Sequence, residues 1–553
     1  MILTKPPVVP ISEPKVGEGG YQPLNRRSEV LPKGWNGSGH KALTCDIQVD
    51  HDFSLKMRDG VTLYMDIYRA AHTDSKVPAI ICWSPFGKRF NGLMSLRLMT
   101  PWNLGVPDDA LSGLEKFEAP DPADWGVMAT MGTQEAEDGY NTIEGIAKQG
   151  WCSGGIGLAG NSHLAIIQWF IAALRPPSLK AIQFGRGGIY AGDLFDKLIV
   201  KYMLKGRHGM ESFQEMWKQH PLSNWWWEDK RPDMKRINVP AYITGTWTNM
   251  MHGMGAIRGW LEVESPHKWL RWHPWQEWYD LWGNPQAKTE LMQFFDHFLK
   301  DETDNGWDQT PRVRMAVLKF GKSDPLENVV EDDFPMARTE YKKLYLQPDS
   351  KLAFDPPQQQ GLATYNSESD EDAATFTYTF PRKTQIVGMP KAVFYMSCDD
   401  YDDMDIYVLI EKLDKDGKSM LNLNIPWKGI PVKSFDEFTR EQSTEVVLYK
   451  GPCGILRASH RAIDWDRSMH PNWPFHTHKT EDKIQPLGKV VKLDIGIWAM
   501  GIEYEAGESL RVVVSGRNKA VNNFGTSEWV DNKGTHRVHF GGEYASHVIL
   551  PFV

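Results

Sequence analysis

The sequence has few cysteines and no Cys-x-x-Cys spacing. Five cysteines occur in 553 residues, namely Cys45, Cys82, Cys152, Cys398 and Cys453. Disulfide-rich secreted domains and cysteine zinc sites need more cysteines, or pairs of them at closer spacing. The composition therefore excludes these two classes and is typical of a reducing compartment. The first residues also lack a basic segment followed by an apolar one, so we predict no secretory signal and a cytoplasmic protein.

Long apolar runs and blocks of basic residues are lacking as well. The longest apolar stretches, such as residues 164–174, are far shorter than the ~20 residues that a membrane-spanning helix requires. Lys and Arg number 62 against 71 Asp and Glu, a net charge of −9, and they form no basic stripe. A membrane or nucleic-acid partner is therefore not expected. The acidic run 399–405 lacks the ligand spacing of a calcium loop, and His460, His476 and His478 are expected to pack within the fold, so we predict no metal and no cofactor.

Up to about residue 305, the sequence alternates short apolar runs with helical patterns. Residues 53–68 form two alternating runs joined by Asp59-Gly60, which predicts a β-hairpin. Residues 77–83 form a continuous apolar run, which predicts a buried parallel strand. Further strands are predicted at residues 155–159, 180–184 and 239–244, and helices at 164–174 and 288–299. This alternation is typical of a parallel α/β sheet.

Beyond residue 305, strand-like alternations recur between turn signals. They cover residues 312–318, 392–396, 405–409, 490–497, 509–514 and 547–551, and they predict an all-β sandwich. The predicted organisation is an N-terminal extension at 1–40, an α/β domain at 41–190 and 237–305, a helical cap inserted at 191–236, and a β-sandwich domain at 306–553. Many of the 23 tryptophans lie between residues 217 and 282, and that region is predicted to line an apolar pocket.

The segment Gly160-Asn161-Ser162-His163 lies between a predicted strand and a predicted buried helix. A serine on a sharp strand-to-helix turn is exposed above the sheet, and small flanking residues permit such a turn. The N–H groups and the partial positive charge of the helix N-terminus can stabilise an oxyanion at this place. A serine that only caps the helix is the alternative.

The sequence around this turn, residues 149–177, resembles the nucleophile region of the CocE/NonD hydrolases. This family includes cocaine esterases, α-amino-acid ester hydrolases and X-Pro dipeptidyl-peptidases. The resemblance continues at residues 57–63, 84–88, 137–140, 294–300, 305–307, 311–314, 454–462 and 474–478. It implies an α/β-hydrolase fold with a helical cap and a C-terminal jelly-roll domain. It also implies a serine hydrolase that acts on an ester or amide, with Ser162 as the nucleophile.

Three positions depart from the family pattern. Asn249 stands where the family has its catalytic Asp, and Glu277 stands where it has its catalytic His. Phe86 stands where much of the family has an oxyanion-stabilising Tyr. An Asn side chain cannot hold an imidazolium by charge, and a carboxylate of ordinary basicity is a poor base near neutral pH. The usual triad therefore cannot be carried over to this chain unchanged.

Two histidines lie close in sequence to the replaced positions and suggest a rearranged triad. His252 follows Asn249 by three residues, and His273 precedes Glu277 by four. We predict Ser162 as the nucleophile, His252 or His273 as the base, and Glu277 as the acid that orients the base. The oxyanion and substrate site is predicted to comprise the backbone N–H of His163 together with Trp83, Phe86, Trp247 and Asn249. A purely structural role remains the alternative for both histidines and for Glu277.

Two further hypotheses keep the fold but change the reaction. In one, the same serine transfers its acyl group to an amine or an alcohol rather than to water. In the other, the protein has lost the usual triad and binds a small hydrophobic molecule or catalyses a reaction without a covalent serine. All three hypotheses predict a small-molecule partner, and a homo-oligomer is compatible with each.

Overall fold

The computed structural model describes most of the chain at the level of individual side chains. The described residues are 5–13, 15–16, 22–36, 42–84, 102, 127–128, 131–185, 209–249, 252–277, 279–440, 442–444, 446–520 and 530–553. Within these ranges no helix is long and apolar enough to cross a membrane.

The N-terminal part of the chain combines strands with helices. Its strands are β1 (Val8–Pro10), β2 (Arg27–Leu31), β3 (Ile47–Lys56), β4 (Thr62–Ala70), β5 (Val77–Ile81), β6 (Val127–Met128), β7 (Cys152–Asn161), β8 (Leu179–Gly185), β9 (Gly209–Glu211), β10 (Ala241–Thr246), β11 (Lys268–His273), β12 (Val313–Val317) and β13 (Leu326–Glu331). Its helices are α1 (Thr133–Ala147), α2 (His163–Ala173), α3 (Phe213–Gln219), α4 (Trp225–Asp229), α5 (Gly253–Glu262) and α6 (Pro285–Lys300).

A seven-stranded sheet organises this part of the chain. Its strand order is β13-β12-β11-β10-β8-β7-β5. Within this sheet, β12, β11, β10, β8, β7 and β5 run parallel. Alternate residues of the strands belong to different apolar clusters because helices cover both faces. Ile243 packs in the cluster that includes residues of α2 and α5, whereas its neighbour Tyr242 packs with Phe294 and Phe295 of α6. Parallel strands covered on both faces explain why the sequence shows continuous apolar runs here.

Most elements predicted for this part are confirmed. The hairpin is formed by β3 and β4, which pair antiparallel on either side of Asp59-Gly60, and Gly60 adopts a φ of +93° in the turn. The predicted strands are β7, β8 and β10, and the predicted helices are α2 and α6. The prediction that the strand at 77–83 is buried is wrong, because β5 is the last strand of the described sheet and its Ile80 is 50% exposed.

The C-terminal part is built from strands in facing antiparallel sheets. Its strands are β14 (Glu340–Leu346), β15 (Leu352–Ala353), β16 (Gly361–Asn366), β17 (Ala374–Thr379), β18 (Thr384–Gly388), β19 (Lys391–Cys398), β20 (Asp405–Leu413), β21 (Asn422–Leu423), β22 (Leu448–Tyr449), β23 (Cys453–Arg457), β24 (Ile463–Asp464), β25 (Phe475–His476), β26 (Val491–Gly496), β27 (Met500–Tyr504), β28 (Ser509–Ser515), β29 (Thr535–Phe540) and β30 (His547–Phe552). A nine-stranded sheet centred on β19 and a four-stranded sheet, β17-β28-β20-β23, contribute apolar residues to one core. The predicted all-β region is thereby confirmed from β14 onward, whereas the assignment of residues 312–318 to it is wrong, because β12 pairs parallel with β11 in the seven-stranded sheet.

The acidic run 399–405 has a structural role in this region. Asp403 accepts hydrogen bonds from Ser459 and Lys483, and Asp405 receives a two-pronged contact from the Arg457 guanidinium at 2.7 Å on each arm. These contacts tie the turn before β20 and the start of that strand to β23 and to the following loops.

The two parts share one boundary region and one core. Strands β12 and β13 extend the seven-stranded sheet beyond residue 305, and Leu318 forms an isolated parallel bridge with Ile502 of β27. Trp247, which follows β10, packs against the backbone of Gly501 in β27. The domain bounds drawn from the sequence stay predictions, and the cap predicted at 191–236 lies outside the described residues up to residue 208.

The described remainder of that cap is pinned to the all-β region. The Arg467 guanidinium donates two hydrogen bonds to the Glu228 carboxylate, at 3.1 and 2.7 Å, and lies 4.1 Å from the centre of the Phe475 ring. Arg231 lies 4.7 Å from the same ring, and the backbone N–H of Ser223 donates to the carbonyl of His478. Helix α4 and the residues beside it are therefore held by residues 467–478, the segment around β25.

Candidate active site

Ser162 lies on a strained turn between β7 and α2. Its backbone has φ 58° and ψ −125°, a conformation that residues other than glycine rarely adopt, and its side chain makes no capping hydrogen bond to the helix. The residue is partly exposed, in contrast to the buried helix that follows it. A positive φ on a serine between a parallel strand and a helix is the geometry of a nucleophile elbow. The alternative of a capping serine does not describe this side chain.

Gly160 allows the turn to close. A Cβ at residue 160 would lie 2.3 Å from the Cβ of Leu164 and 3.0 Å from its carbonyl carbon and oxygen. Because the fifth position of the motif is Leu164 and not glycine, the clearance between strand and helix depends on the missing side chain at 160. The close approach places the N-terminus of α2 directly behind Ser162, where its dipole favours negative charge.

The side chain of His163 contacts a buried carboxylate. Its Nε2 lies 3.0 Å from Oε1 of Glu135, and the Trp83 indole N–H donates to the same oxygen at 2.9 Å. The backbone N–H of Met131 donates to the other oxygen at 2.6 Å. Burial raises the pKa of the Glu135 carboxyl, but the charge of His163 and the hydrogen bonds from His163, Met131 and Trp83 outweigh burial and lower it. The predicted role of the His163 backbone N–H in an oxyanion site stays a prediction.

Glu135 is a residue of this neighbourhood that the sequence did not single out. It lies in the first turn of α1, and its side chain connects that helix to the residue after Ser162 and to the loop that follows β5. In the sequence it is one of several acidic residues at the start of a helix, which is the usual place for them. Trp83 is buried and its polar atom is used by Glu135, so its predicted contact with substrate stays a prediction. Phe86 lies outside the described residues.

The carboxyl ends of β10 and β11 bring together Asn249, His252 and Glu277. Thr246 pairs with His273 at the ends of these adjacent strands, so the loops that follow them lie side by side. The Asn249 Nδ2 donates a hydrogen bond of 2.5 Å to Oε2 of Glu277, and Nε2 of His252 lies 3.8 Å from the other carboxylate oxygen. All three side chains are buried. Two of the three positions that depart from the family pattern, 249 and 277, therefore contact each other directly.

His273, the other candidate base, is turned toward a different carboxylate. Its Nδ1 lies 3.4 Å from Oδ1 of Asp280, which belongs to a π-helical turn, Tyr279–Gly283. Strand alternation places His273 on the same face of the sheet as Tyr242, the face covered by α6. Asp280 was not predicted from the sequence, and its position three residues after Glu277 carries no motif that would have marked it.

A small cavity is lined by Glu277, His273 and Asp280 together with the two residues that precede Ser162. Its lining combines the residues before Ser162 with side chains from β8, β10 and β11 and with one side of α6. The lining residues are Gly160, Asn161, Gln183, Tyr242, Thr244, His273, Glu277, Asp280, Ala287 and Leu291. The Gln183 side chain accepts a hydrogen bond from the backbone N–H of Gly160, which fixes this wall of the cavity. Glu277 and the residue that precedes the nucleophile therefore share one cavity.

Trp247, predicted as part of the substrate site, is a packing residue in the structure. Its indole N–H donates to the carbonyl of Ala316 at 2.7 Å, and its ring lies 4.7 Å from that of Trp272. It is 2% exposed. Its predicted contact with substrate stays a prediction. Among the described tryptophans of this region, Trp260 and Trp272 pack in the same core cluster as Trp247, whereas Trp217 and Trp225 are exposed.

The described residues contain no cluster of three or more His, Cys, Asp or Glu side chains arranged to hold a metal ion. The histidines of the all-β region make other contacts. The Nδ1 atoms of His460 and His478 lie 2.8 Å apart, and Nε2 of His476 lies 3.1 Å from the carbonyl oxygen of Asp494. The packing role expected for these three histidines stays a prediction.

Comparison with known proteins finds relatives for both parts of the chain. Residues 305–549 match the family model of the X-Pro dipeptidyl-peptidase C-terminal non-catalytic domain, and residues 124–191 match that of the X-Pro dipeptidyl-peptidases of the S15 family. The sequence is 30% identical to cocaine esterase from Rhodococcus sp. (strain MB1 Bresler) over 131 residues, 23% of this chain and 21% of that protein. The chain thus aligns with about a fifth of the length of this curated relative.

Solved structures match over nearly the whole chain. The crystal structure of a CocE/NonD family hydrolase from Staphylococcus aureus matches with a TM-score of 0.81 and 25% identity, covering 98% of this chain and 99% of that one. An α-amino acid ester hydrolase matches with a TM-score of 0.63 and 16% identity, covering 92% and 97% of the two chains. An aminopeptidase from a marine sediment archaeon, Thaumarchaeota archaeon, matches with 0.61 and 16%, covering 98% of each. The predicted α/β-hydrolase fold with a C-terminal all-β domain is confirmed.

Proposed function

Because the chain belongs to the CocE/NonD family of hydrolases, we propose that it is a serine hydrolase that cleaves an ester or amide bond of a small hydrophobic substrate through an acyl-enzyme on Ser162. The observation that carries the proposal is the backbone of Ser162. A φ of 58° costs conformational energy. Such a backbone conformation persists only where the surrounding structure imposes it. The strain has a function if it presents the hydroxyl to a substrate at the N-terminus of α2.

The base that best suits this nucleophile is His252, with Glu277 as its orienting acid. An imidazole titrates near neutral pH, whereas a carboxylate of ordinary basicity does not. The separation of 3.8 Å between Nε2 of His252 and Oε1 of Glu277 is longer than a hydrogen bond. Catalytic contacts of this kind are commonly long in the free enzyme and tighten when substrate binds. His273 also has a carboxylate partner, Asp280, and lines the cavity, so it is the second candidate for the base.

In the proposed reaction, the Ser162 Oγ attacks the carbonyl carbon of the substrate while its proton passes to His252. The backbone N–H of His163 and the helix dipole stabilise the oxyanion that forms. Collapse of this intermediate releases an alcohol or amine, which takes the proton from His252, and leaves the acyl group on Ser162. Water then attacks the acyl-enzyme with the same assistance, which releases the acid and restores the serine.

Labelling with a fluorophosphonate probe tests the nucleophile. We expect the protein to be labelled, and we expect Ser162→Ala to abolish labelling without lowering Tm. Ser153→Ala is a matched control, because Ser153 is an exposed serine of β7, the strand that precedes Ser162. If the folded protein is not labelled, or if Ser162→Ala is still labelled, the covalent mechanism is wrong. If Ser162 is labelled, a panel of p-nitrophenyl esters and peptide anilides would identify which acyl groups the enzyme cleaves.

Glu277→Gln tests the orienting acid. The substitution keeps the size of the side chain and removes its charge, so we expect turnover of the best ester to fall by roughly 100-fold or more. Unchanged turnover would remove Glu277 from the mechanism. Ser162→Ala provides the background rate for this comparison.

One observation favours a second candidate, a reaction without a covalent serine. The hydrogen bond between Asn249 and Glu277 occupies the place where the family pattern has an Asp and a His, so the pair offers a carboxylate directly to the cavity. Proton transfer by Glu277 on a bound small molecule would suit this arrangement, and absence of probe labelling would favour it.

Transfer of the acyl group to an amine or alcohol is distinguished from hydrolysis by product analysis with an added nucleophile. The small-molecule partner and the cytoplasmic location both remain part of the proposal.

A further inference from the structure

Asn249 is fixed in one orientation by its own loop. Its side-chain oxygen accepts the backbone N–H of His252 at 3.2 Å, and its backbone carbonyl accepts the N–H of Gly253. The amide nitrogen must therefore point the other way, toward Glu277 Oε2 at 2.5 Å. The orientation follows from the main-chain donor, because an amide turned by 180° would place its NH₂ group against the N–H of His252.

We infer that Asn249 is a positioning residue for Glu277 and that the two residues are a coupled replacement of the family's Asp and His. In an Asp–His pair, the residue after β11 donates the hydrogen bond and the residue after β10 accepts it. Here the direction is reversed, because Asn249 donates and Glu277 accepts. A carboxylate at 277 therefore requires a hydrogen-bond donor at 249. An aspartate at 249 would keep the bond to His252 and present its second oxygen to the Glu277 carboxylate.

The burial of the pair makes this coupling strong. Asn249 is 7% exposed and Glu277 is 4% exposed, so water screens the contact poorly. Two carboxylates at hydrogen-bond distance in such a site repel each other, and one of them has to be protonated or displaced. The neutral donor at 249 therefore avoids this repulsion and orients Glu277 toward His252. The catalytic consequence rests on the proposed function, but the pairing itself does not.

A double-mutant cycle with isosteric substitutions tests the pairing without any substrate. The variants are Asn249→Asp, Glu277→Gln and the two combined, and the readout is Tm at pH 8. We expect Asn249→Asp to lower Tm by about 2 °C or more, since it places two carboxylates in contact. We expect Glu277→Gln to lower it less, because a neutral amide can still accept the bond from Asn249. The combined variant restores a donor and an acceptor with the direction reversed, so its Tm should return to within about 1 °C of Glu277→Gln.

A combined variant that loses as much as the sum of the single variants would overturn the inference. If Asn249→Asp does not fold, the combined variant decides the matter: folding of the combined variant supports the coupling, and failure of both overturns it. These outcomes do not depend on activity. They separate this inference from the proposed function, which fails on its own if Ser162 is not labelled.

A second pair of substitutions connects the coupling to catalysis. Asn249→Asp combined with Glu277→His rebuilds the Asp and His of the family pattern in the same loops. We expect each single substitution to lower the rate of fluorophosphonate labelling by roughly tenfold or more, and we expect the combined variant to label at least tenfold faster than either one. A structural role alone would not produce this rescue. A combined variant that labels no faster than the single variants would show that the two positions do not act as a pair in catalysis.

Discussion

Adding one methyl group at residue 160 tests the strained turn that presents Ser162. In Gly160→Ala the new Cβ would lie 2.3 Å from the Leu164 Cβ, and an ordinary contact of 3.4 Å requires a separation greater by about 1.1 Å. The clashing atoms include the carbonyl group of Leu164, which belongs to the first turn of α2 and cannot rotate away. The helix N-terminus must therefore move relative to β7. Overpacking of this kind costs about 1–3 kcal/mol of unfolding free energy.

The same movement displaces the serine and its oxyanion donors. A misplacement of about 1 Å in a catalytic group can lower the rate by about 100-fold. We expect Gly160→Ala to lower Tm and to slow fluorophosphonate labelling by about this factor. Gly155→Ala is the matched control, because it adds the same methyl group to the same strand, where the nearest atom lies at 3.6 Å. If Gly160→Ala labels within twofold of Gly155→Ala, the turn does not control the position of the nucleophile.

Four further substitutions examine other contacts of the structure. His252→Gln should lower ester turnover by roughly 100-fold or more, as expected for loss of a base, whereas His273→Gln should lower it by less than tenfold; steady-state kinetics compares them. Glu135→Gln should reduce the loss of Tm on acidification. Because the pKa of Glu135 is lowered in the folded protein, its carboxylate stabilises the fold at pH values above the ordinary pKa of 4.5. This contribution is lost as the pH falls through the lowered pKa. Arg467→Met should change Tm little, since a partly exposed ion pair contributes about 1 kcal/mol or less, but it should speed hydrogen exchange in α4, which Glu228 anchors.

Each of these expectations has a clear contrary result. Equal losses in the two histidine variants would place the base elsewhere. A wild-type acid dependence of Tm in Glu135→Gln would show that the buried carboxylate does not contribute to the acid sensitivity of the fold. Unchanged exchange in α4 after Arg467→Met would show that other contacts hold the described part of the cap.

The layered architecture was accessible from local patterns. Continuous apolar runs predict parallel strands covered on both faces, and β7, β8 and β10 have this arrangement. The alternation beyond residue 305 predicts antiparallel strands, and β19, β20, β26, β28 and β30 follow it. The exposure of β5 was not accessible, because an apolar run does not reveal whether a strand has one neighbour or two. The extension of the sheet by β12 and β13 was missed for a similar reason, since the alternation of a strand does not identify the sheet to which it adds.

The candidate site divides in the same way. Periodicity and the order of small residues around Ser162 determined that a strand, a tight turn and a buried helix follow one another, since each of these depends on a few adjacent side chains. Only the tertiary structure decided which groups meet across the sheet edge. The donor on Asn249, the carboxylate of Glu277 and the ring of His252 are brought together by two neighbouring strands, whereas His273 is turned to Asp280 and His163 to Glu135. Such contacts join residues up to 28 positions apart, and the direction in which each side chain points is set by strand register and packing, which no local stretch of sequence records.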